Sequence, residues 1–275
     1  MTRTLIRSIA STLAVVAGVS VAQAGTISHW TFEEGSTGSS AGTVTDVAGS
    51  NDGTGVNGPT YVNGVLTEYG TKGLSFNDTN QSVFVDSSSG GTLEIASDFT
   101  IEVGFIANTS STDGFLVFMG DTQVGKDPYS IILYNNGQVY FQLYNGEEDP
   151  NGSINVSSDA GAVEFDTIQH IAAIFDYDEA GGGVDNEMRL FVNYEEVGSK
   201  NIGSSAPFYD DTDSDLWFGS LHGTGGFFDG SIGDVRISDL ALTSEQMFAV
   251  PEPGAMAVFG FGLLALGLVR RRRPH

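Results

Sequence analysis

Apolar residues recur at every second position through the middle of this 275-residue chain. In Phe99-Thr-Ile-Glu-Val-Gly-Phe105 the apolar side chains stand at 99, 101, 103 and 105, with Thr100, Glu102 and Gly104 between them. Val139, Phe141 and Leu143 alternate with Tyr140 and Gln142, and Met188, Leu190 and Val192 with Arg189 and Phe191. A period of two sends successive side chains to opposite faces of a strand, so these runs predict half-buried strands. Ile131-Ile132-Leu133 and His170-Ile-Ala-Ala-Ile-Phe175 are denser, as for strands covered on both faces. Turn signals separate them: Asn135-Asn136-Gly137 predicts a tight hairpin, and Asp113-Gly114, Asn145-Gly146, Asn151-Gly152 and Gly181-Gly182-Gly183 mark further turns. The one exception is residues 243–249, where Thr243 can cap a short helical turn with Gln246 three residues on. Many short strands without helices predict an all-β sandwich of two antiparallel sheets.

Composition narrows the chemistry. There is no Cys, which excludes disulfides, thiolate metal sites and Cys nucleophiles. The formal charge of −24 makes a phosphate backbone an unfavourable partner, so nucleic-acid binding is excluded. Six of the 11 basic residues lie at the two ends (Arg3, Arg7 and Arg270 to Arg273), so the body between is more acidic still.

Both ends pair basic residues with an apolar run. Residues 1–8 carry Arg3 and Arg7, residues 9–21 are apolar or small, and Ala22-Gln23-Ala24 follows. This order of charged, apolar and small-residue regions predicts a secretory signal peptide over 1–24, cut after Ala24 by signal peptidase. At the other end Val250-Pro251-Glu252-Pro253 precedes Gly254 and an apolar run over residues 255–269, closed by Arg270-Arg271-Arg272-Arg273. Fifteen helical residues span about 22 Å, short of a hydrocarbon core of about 30 Å. The arginines resist translocation and stop the tail on the cytoplasmic side.

The Val-Pro-Glu-Pro run, the short apolar helix and the arginine cluster together resemble the PEP-CTERM sorting signal of Gram-negative bacteria, here over residues 250–275. The resemblance implies cutting near Pro251-Glu252-Pro253 by exosortase, a membrane cysteine protease. It also implies a transient inner-membrane anchor, a producer of exopolysaccharide, and delivery to the cell surface or beyond.

A second resemblance covers the body, residues 25–249. His29-Trp30-Thr31-Phe32-Glu33-Glu34 opens it, followed by Asp46-Val-Ala-Gly-Ser-Asn-Asp-Gly53, Gly73-Leu-Ser-Phe-Asn77 and Asp98-Phe-Thr-Ile-Glu102. Gln169-His170-Ile-Ala-Ala, Leu216-Trp-Phe-Gly219, Phe228-Asp-Gly-Ser-Ile-Gly-Asp-Val-Arg-Ile237 and Leu240-Ala-Leu242-Thr-Ser-Glu245 complete the order. The series is similar to the laminin-G-like, concanavalin A-like lectin/glucanase superfamily. That implies a jelly roll whose loops and faces bind carbohydrate or protein, frequently with Ca²⁺. Two departures stand out: Gly104 and Phe105 follow Val103 where an aromatic is usual, and Asn193-Tyr194 replaces an Asp-Gly turn.

Candidate chemistry follows from residue type. Hard cations need several oxygen ligands, and Asp211, Asp213 and Asp215 offer carboxylates at alternate positions of one loop. The resemblance adds Glu33, Asp78 and Asp234 as implied Ca²⁺ ligands; a solvated acidic face is the plainer alternative. For sugar binding, Tyr209, Trp217 and Phe227 lie near acidic or Gly-rich loops, as do Phe228, Tyr129, Tyr140 and Tyr144, although Trp217 and Phe228 also suit a sandwich core. The paired carboxylates of a glucanase strand are missing: the positions two and four residues after Glu102 are Gly104 and Ile106. The expectation is therefore an exported, non-catalytic surface protein that binds polysaccharide or partner proteins. A purely structural matrix component and a divergent glycan hydrolase are the alternatives.

Overall fold

The computed structural model describes residues 25–65, 67, 70–87, 92, 93, 95, 97–109, 112–120, 127–144, 153–177, 185–203 and 214–248. The expected signal peptide with Ala22 and Ala24, Tyr209, Asp211, Asp213, and the sorting segment with Val250, Pro251, Glu252, Pro253 and Arg270 to Arg273 lie outside the described residues.

The first half of the chain forms β1 (Thr26–Trp30), β2 (Thr43–Val44), β3 (Gly53–Val56), β4 (Thr60–Asn63), β5 (Lys72–Asn77), β6 (Ser82–Val85), β7 (Phe99–Ala107) and β8 (Gly114–Gly120). The second half forms β9 (Tyr129–Leu133), β10 (Val139–Tyr144), β11 (Ser153–Ser157), β12 (Ile168–Asp176), β13 (Asn186–Val192), β14 (Glu195–Gly203), β15 (Asp215–Phe218) and β16 (Asp229–Ser238). They build the expected all-β sandwich of two antiparallel sheets. One sheet runs β14-β13-β12-β7-β16-β5-β4, with β1 joined to the far half of β16. The other runs β11-β10-β9-β8-β15-β6-β3-β2. The last strand of the body, β16, sits between β7 on one side and β5 and β1 on the other. The first sheet is therefore complete only when the whole body has been made.

The two-residue period decides the core. Ile101, Val103 and Phe105 of β7 and Ile171, Ala173 and Phe175 of β12 face Ile131, Phe141, Leu216 and Phe218 of the opposite sheet. Phe99 joins the layers: its ring lies 6.0 Å from Phe175 within its own sheet and 5.5 and 6.1 Å from Tyr129 and Phe141 across the core. Trp30 stands edge-on to Phe218 at 4.9 Å, and its indole N–H donates to Asn51 O at 2.8 Å. The expected hairpin forms between β9 and β10, with Tyr134 N–H bonded to Gln138 O at 2.8 Å.

Dense burial of β12 has the cause expected from its composition, a cover on both faces. Residues 239–248 cross the outer face of the first sheet, where Met247 packs with Ala172, Ile174 and Phe191. At 243–246 the chain makes one turn, with Gln246 N–H donating to Thr243 O and Thr243 N–H donating to Gln246 Oε1, both at 2.9 Å. Half of a capping box thus forms without a helix behind it, because Phe248 is drawn onto the sheet two residues later.

Truncating the inter-sheet ring, Phe99→Ala, should cost about 3–5 kcal/mol in urea denaturation of the body over residues 25–249. Val47→Ala, at a 59% exposed position, should stay within about 0.5 kcal/mol.

Candidate functional site

The outer face of the second sheet carries a row of paired residues that crosses seven strands. Antiparallel register sets Thr54 beside Phe84, Phe84 beside Trp217, Trp217 beside Phe118, Phe118 beside Ser130, Ser130 beside Gln142, and Gln142 beside Asn155. Directly opposed residues share a face, and here the face is the one turned from the core, since the neighbours Val83, Val85, Leu216 and Phe218 point inward. The row is aromatic at one end and amide and hydroxyl at the other. Trp217 lies against Phe84 with ring centroids 4.8 Å apart.

Beside this row is a small, partly enclosed groove with a cavity volume of about 70 Å³. Phe115, Phe118 and Leu221 form its apolar side, and Asp127, Ser130, Gln142 and Tyr144 its polar side. Phe115 and Phe118 meet edge to face at 5.5 Å, and the His222 ring packs on Phe118 at 5.6 Å. The loop before β16 closes one wall: Leu221 N–H donates to Gly225 O at 2.9 Å. Gly223, at φ 69°, lets that loop approach Trp217, since a Cβ there would lie 2.8 Å from the indole ring. A second aromatic pair, Tyr134 and Tyr140, lies 4.8 Å apart at the hairpin end of the same sheet. Burial, and then the Tyr140 and Asp113 neighbours, push the Tyr134 phenol above its usual pKa, so it stays a hydrogen-bond donor at neutral pH. Apolar ring faces next to amides, hydroxyls and one carboxylate suit a polyhydroxylated ligand with alternating CH-rich and OH-rich surfaces.

The aromatic candidates separate. Trp217 is half-buried on the outer face, Phe228 is core at 1% exposure, and Phe227 is half-buried next to it and does not line the groove. Tyr129 belongs to the core, whereas Tyr144 lines the groove. Phe84, Phe115, Phe118, Ser130 and Gln142 were not singled out from the sequence. The three phenylalanines show only as large aromatics in strand runs and Ser130 and Gln142 carry no signal at all; the row exists only once register aligns the seven strands.

The structure does not bring the carboxylates implied as Ca²⁺ ligands into one group: Glu33 lies near Asp234, and Asp78 lies apart from both. Glu33 Oε1 accepts the N–H groups of Thr71 and Lys72 at 2.6 and 2.8 Å, and Lys72 Nζ lies 3.7 Å from its other oxygen. Asp78 accepts the Thr112 hydroxyl at 2.6 Å and follows Asn77, which pairs with Asp229. Asp234 lies five residues farther along β16, about 17 Å at 3.4 Å per residue. It is fully buried, its Oδ1 2.7 Å from His29 Nε2 and its Oδ2 bonded by the Thr67 hydroxyl. Asp215 accepts Ser87 N–H at 3.2 Å; its carboxyl pKa is raised by burial, partly offset by that bond, with Asp86 raising it further. Among the described residues no group of three His, Asp or Glu side chains could hold a metal ion. Glu33, Asp78 and Asp234 do not fit a shared Ca²⁺ site. Glu102 is sealed at 0% exposure, without access to a substrate.

A family model described as the concanavalin A-like lectin/glucanases superfamily matches residues 77–247. The chain belongs to that superfamily. A model of the PEP-CTERM protein-sorting motif matches residues 249–273. Among solved structures, the binding domain of Paraclostridial Mosquitocidal Protein 1 superposes with a TM-score of 0.59 and 15% identity, over 81% of this chain and 50% of that one. Domain 4 of AbnA, a GH43 extracellular arabinanase from Geobacillus stearothermophilus in complex with arabinotriose, superposes with a TM-score of 0.53 and 14% identity, over 82% and 97%. The Ruminococcus gnavus IT-sialidase CBM40 bound to α2,3-sialyllactose gives 0.50 and 18%, over 62% and 94%. This superfamily member spans half the length of the toxin binding domain it matches. At these identities the likeness is one of fold. No match to a curated protein was found.

Burial raises the Asp234 pKa above 3.8, the His29 and Thr67 contacts lower it, and Glu33 raises it. A carboxyl whose folded pKa is raised binds its proton more tightly in the native state. Its contribution to stability is full below the unfolded pKa and is lost as pH rises through the folded one. The stability of wild type relative to Asp234→Asn should therefore be greatest in acid and fall towards neutral pH, as urea midpoints measured across that range will record.

Proposed function

We propose that this chain is an exported, non-catalytic surface protein that binds polysaccharide along the aromatic-to-amide row of its second sheet. The observation that carries this reading is the alignment of Phe84, Trp217, Phe118, Ser130 and Gln142 in one cross-strand row beside a small groove. Sugar rings stack on the aromatic end, and Ser130, Gln142 and Asp127 take up hydroxyls. The carbohydrate complexes of two structural neighbours support the choice of ligand class. Export follows the three-part organisation: a signal peptide over 1–24 removed after Ala24, the body over 25–249, and the sorting segment over 250–275 handed to exosortase. The apolar run over residues 255–269 anchors the precursor until that cut. Binding rather than hydrolysis is supported by the burial of Glu102 and by the absence, among the described residues, of paired carboxylates in the groove.

Trp217→Ala should lower retention on the polysaccharide it binds by about tenfold, the equivalent of about 1.4 kcal/mol, with the melting temperature held within a few degrees. The check is affinity electrophoresis of wild type and variant through neutral and acidic polysaccharides. Retention unchanged by Trp217→Ala and by Gln142→Ala sinks the assignment of the face, and reducing sugar released from any of them sinks the non-catalytic one.

For calcium, the reading keeps the run that contains Asp211, Asp213 and Asp215, whose carboxylates alternate along the sequence. EDTA should then lower the melting temperature by a few degrees by removing a ligand bound only to the native state, and Asp215→Asn should abolish the shift. A melting curve that EDTA leaves in place removes calcium from the protein.

A further inference from the structure

The body ends in a strap on the face opposite the groove. Residues 239–248 are fastened to the outer face of the first sheet at successive points. Thr100 Oγ1 donates to Leu240 O at 2.7 Å and accepts Leu242 N–H at 3.0 Å. Arg236 donates to Gln246 O at 3.0 Å, and Glu102 Oε1 accepts Phe248 N–H at 2.8 Å. Phe248 is fully buried: its ring stands edge-on to His170 at 4.7 Å, with the Arg236 guanidinium 5.5 Å from its centroid. Its carbonyl accepts the Tyr194 hydroxyl at 2.9 Å. Gly104 makes room for this packing, since a Cβ there would lie 3.4 Å from the Phe248 ring and 2.9 Å from Thr67 Cγ2.

Tyr194 is the informative residue. It occupies the turn between β13 and β14 at φ 69°, a left-handed conformation that glycine adopts freely and a bulky side chain resists. Such strain persists where the surroundings over-determine it. Here the ring stacks on His170 at 4.9 Å while the hydroxyl holds the strap's last described carbonyl. Glycine would suit the turn and leave the strap without its clamp.

Three residues after Phe248 the chain reaches Pro251-Glu252-Pro253, and the apolar run begins at Ala255. The six residues between Phe248 and that run span about 20 Å at most. A body of this length is on the order of 40 Å across. A tether so much shorter than the body it holds cannot let that body turn over.

We propose that the strap orients the membrane-anchored precursor, so that the outer face of the first sheet lies towards the bilayer and the aromatic groove points away from it. The inference rests on the reading of residues 250–273 as a membrane-anchored sorting segment. It deepens the proposed function by placing the polysaccharide on the distal side, out in the surface layer rather than against the lipid headgroups.

The cysteine-free chain allows single fluorescent labels. Ser199 is exposed on the outer face of the first sheet, opposite Arg189, and Thr224 is exposed on the loop that walls the groove. Full-length chain carrying Ser199→Cys or Thr224→Cys is inserted into vesicles that contain a headgroup-labelled acceptor lipid. Sheets about 10 Å apart, with their side chains, separate the two labels, so transfer from position 199 should exceed that from 224 by about twofold. Unlatching by Tyr194→Gly with Phe248→Ala should bring the two towards equality, while thermal melting reports that the sandwich is kept. Tyr194→Gly alone, which relaxes the turn, should give an intermediate ratio. Equal transfer from both labels in the latched chain overturns the proposal, as does a ratio that survives unlatching. Flotation scores the anchor separately. A chain that fails to float with the vesicles overturns the anchor and the orientation with it, whereas equal transfer in a floating chain overturns the orientation alone.

Discussion

A carboxylate with no access to water must have its lone pairs occupied by donors, and Glu102, at the centre of the first sheet, is such a group. Arg236 Nε lies 2.6 Å from its Oε2, the Arg236 Nη2 donates to the same oxygen, His170 Nε2 lies 3.2 Å from Oε1, and the Phe248 N–H completes the set. Four donors come from β16, from β12 and from the strap after β16. The network therefore forms only when strands distant in the chain have paired in the right register. Removing one partner of a buried ion pair costs about 3–5 kcal/mol, although replacing the pair with apolar residues is often neutral. Its value lies less in net stability than in specifying where the strap must lie.

With Glu102 satisfied in this way, the two outer faces of the sandwich take different roles. The first sheet is covered by residues 239–248, which bury a second small apolar cluster on it. The second sheet keeps Trp217, Phe84 and Tyr140 partly accessible beside the groove. A fold of two packed sheets has two outer surfaces of similar area, and here the protein's own chain covers part of one while the other carries the groove. The acidity of the body adds like-charge repulsion between copies that present this half-buried aromatic face.

Much of this architecture was legible beforehand. The runs at 99–105, 139–143 and 188–192 became β7, β10 and β13, and the Asn135-Asn136-Gly137 turn became a hairpin, because alternation and turn chemistry are local properties. His170, inside the dense run over 170–175, is buried in β12 and stacked on Tyr194. The site was far less legible. Trp217 suited the sandwich core at least as well as a ligand face, since period two states that alternate residues face opposite ways without stating which way is in, and the structure puts it half-buried on the outer face. Glu33 and Asp234 are near neighbours while Asp78 lies towards the other end of β16, so the three share a resemblance and not one location. The helical turn expected at 243–249 stopped after one turn, since a hydrogen bond from Phe248 to a carboxylate 146 residues away outweighs a local cap.

The amino-acid order was enough to establish strand periodicity, turn positions, the acidic balance and the sorting motif near the C-terminus, all of which depend on neighbours in the chain or on simple sums over it. Cross-strand register was beyond its reach, because pairing energies between remote strands depend on the whole sheet being assembled at once. It is register that lines Phe84, Trp217, Phe118, Ser130 and Gln142 into one row, and register that sets Glu102 beside Arg236 and beneath Phe248. A shift of a single residue would send each of those side chains to the opposite face and exchange the groove for core.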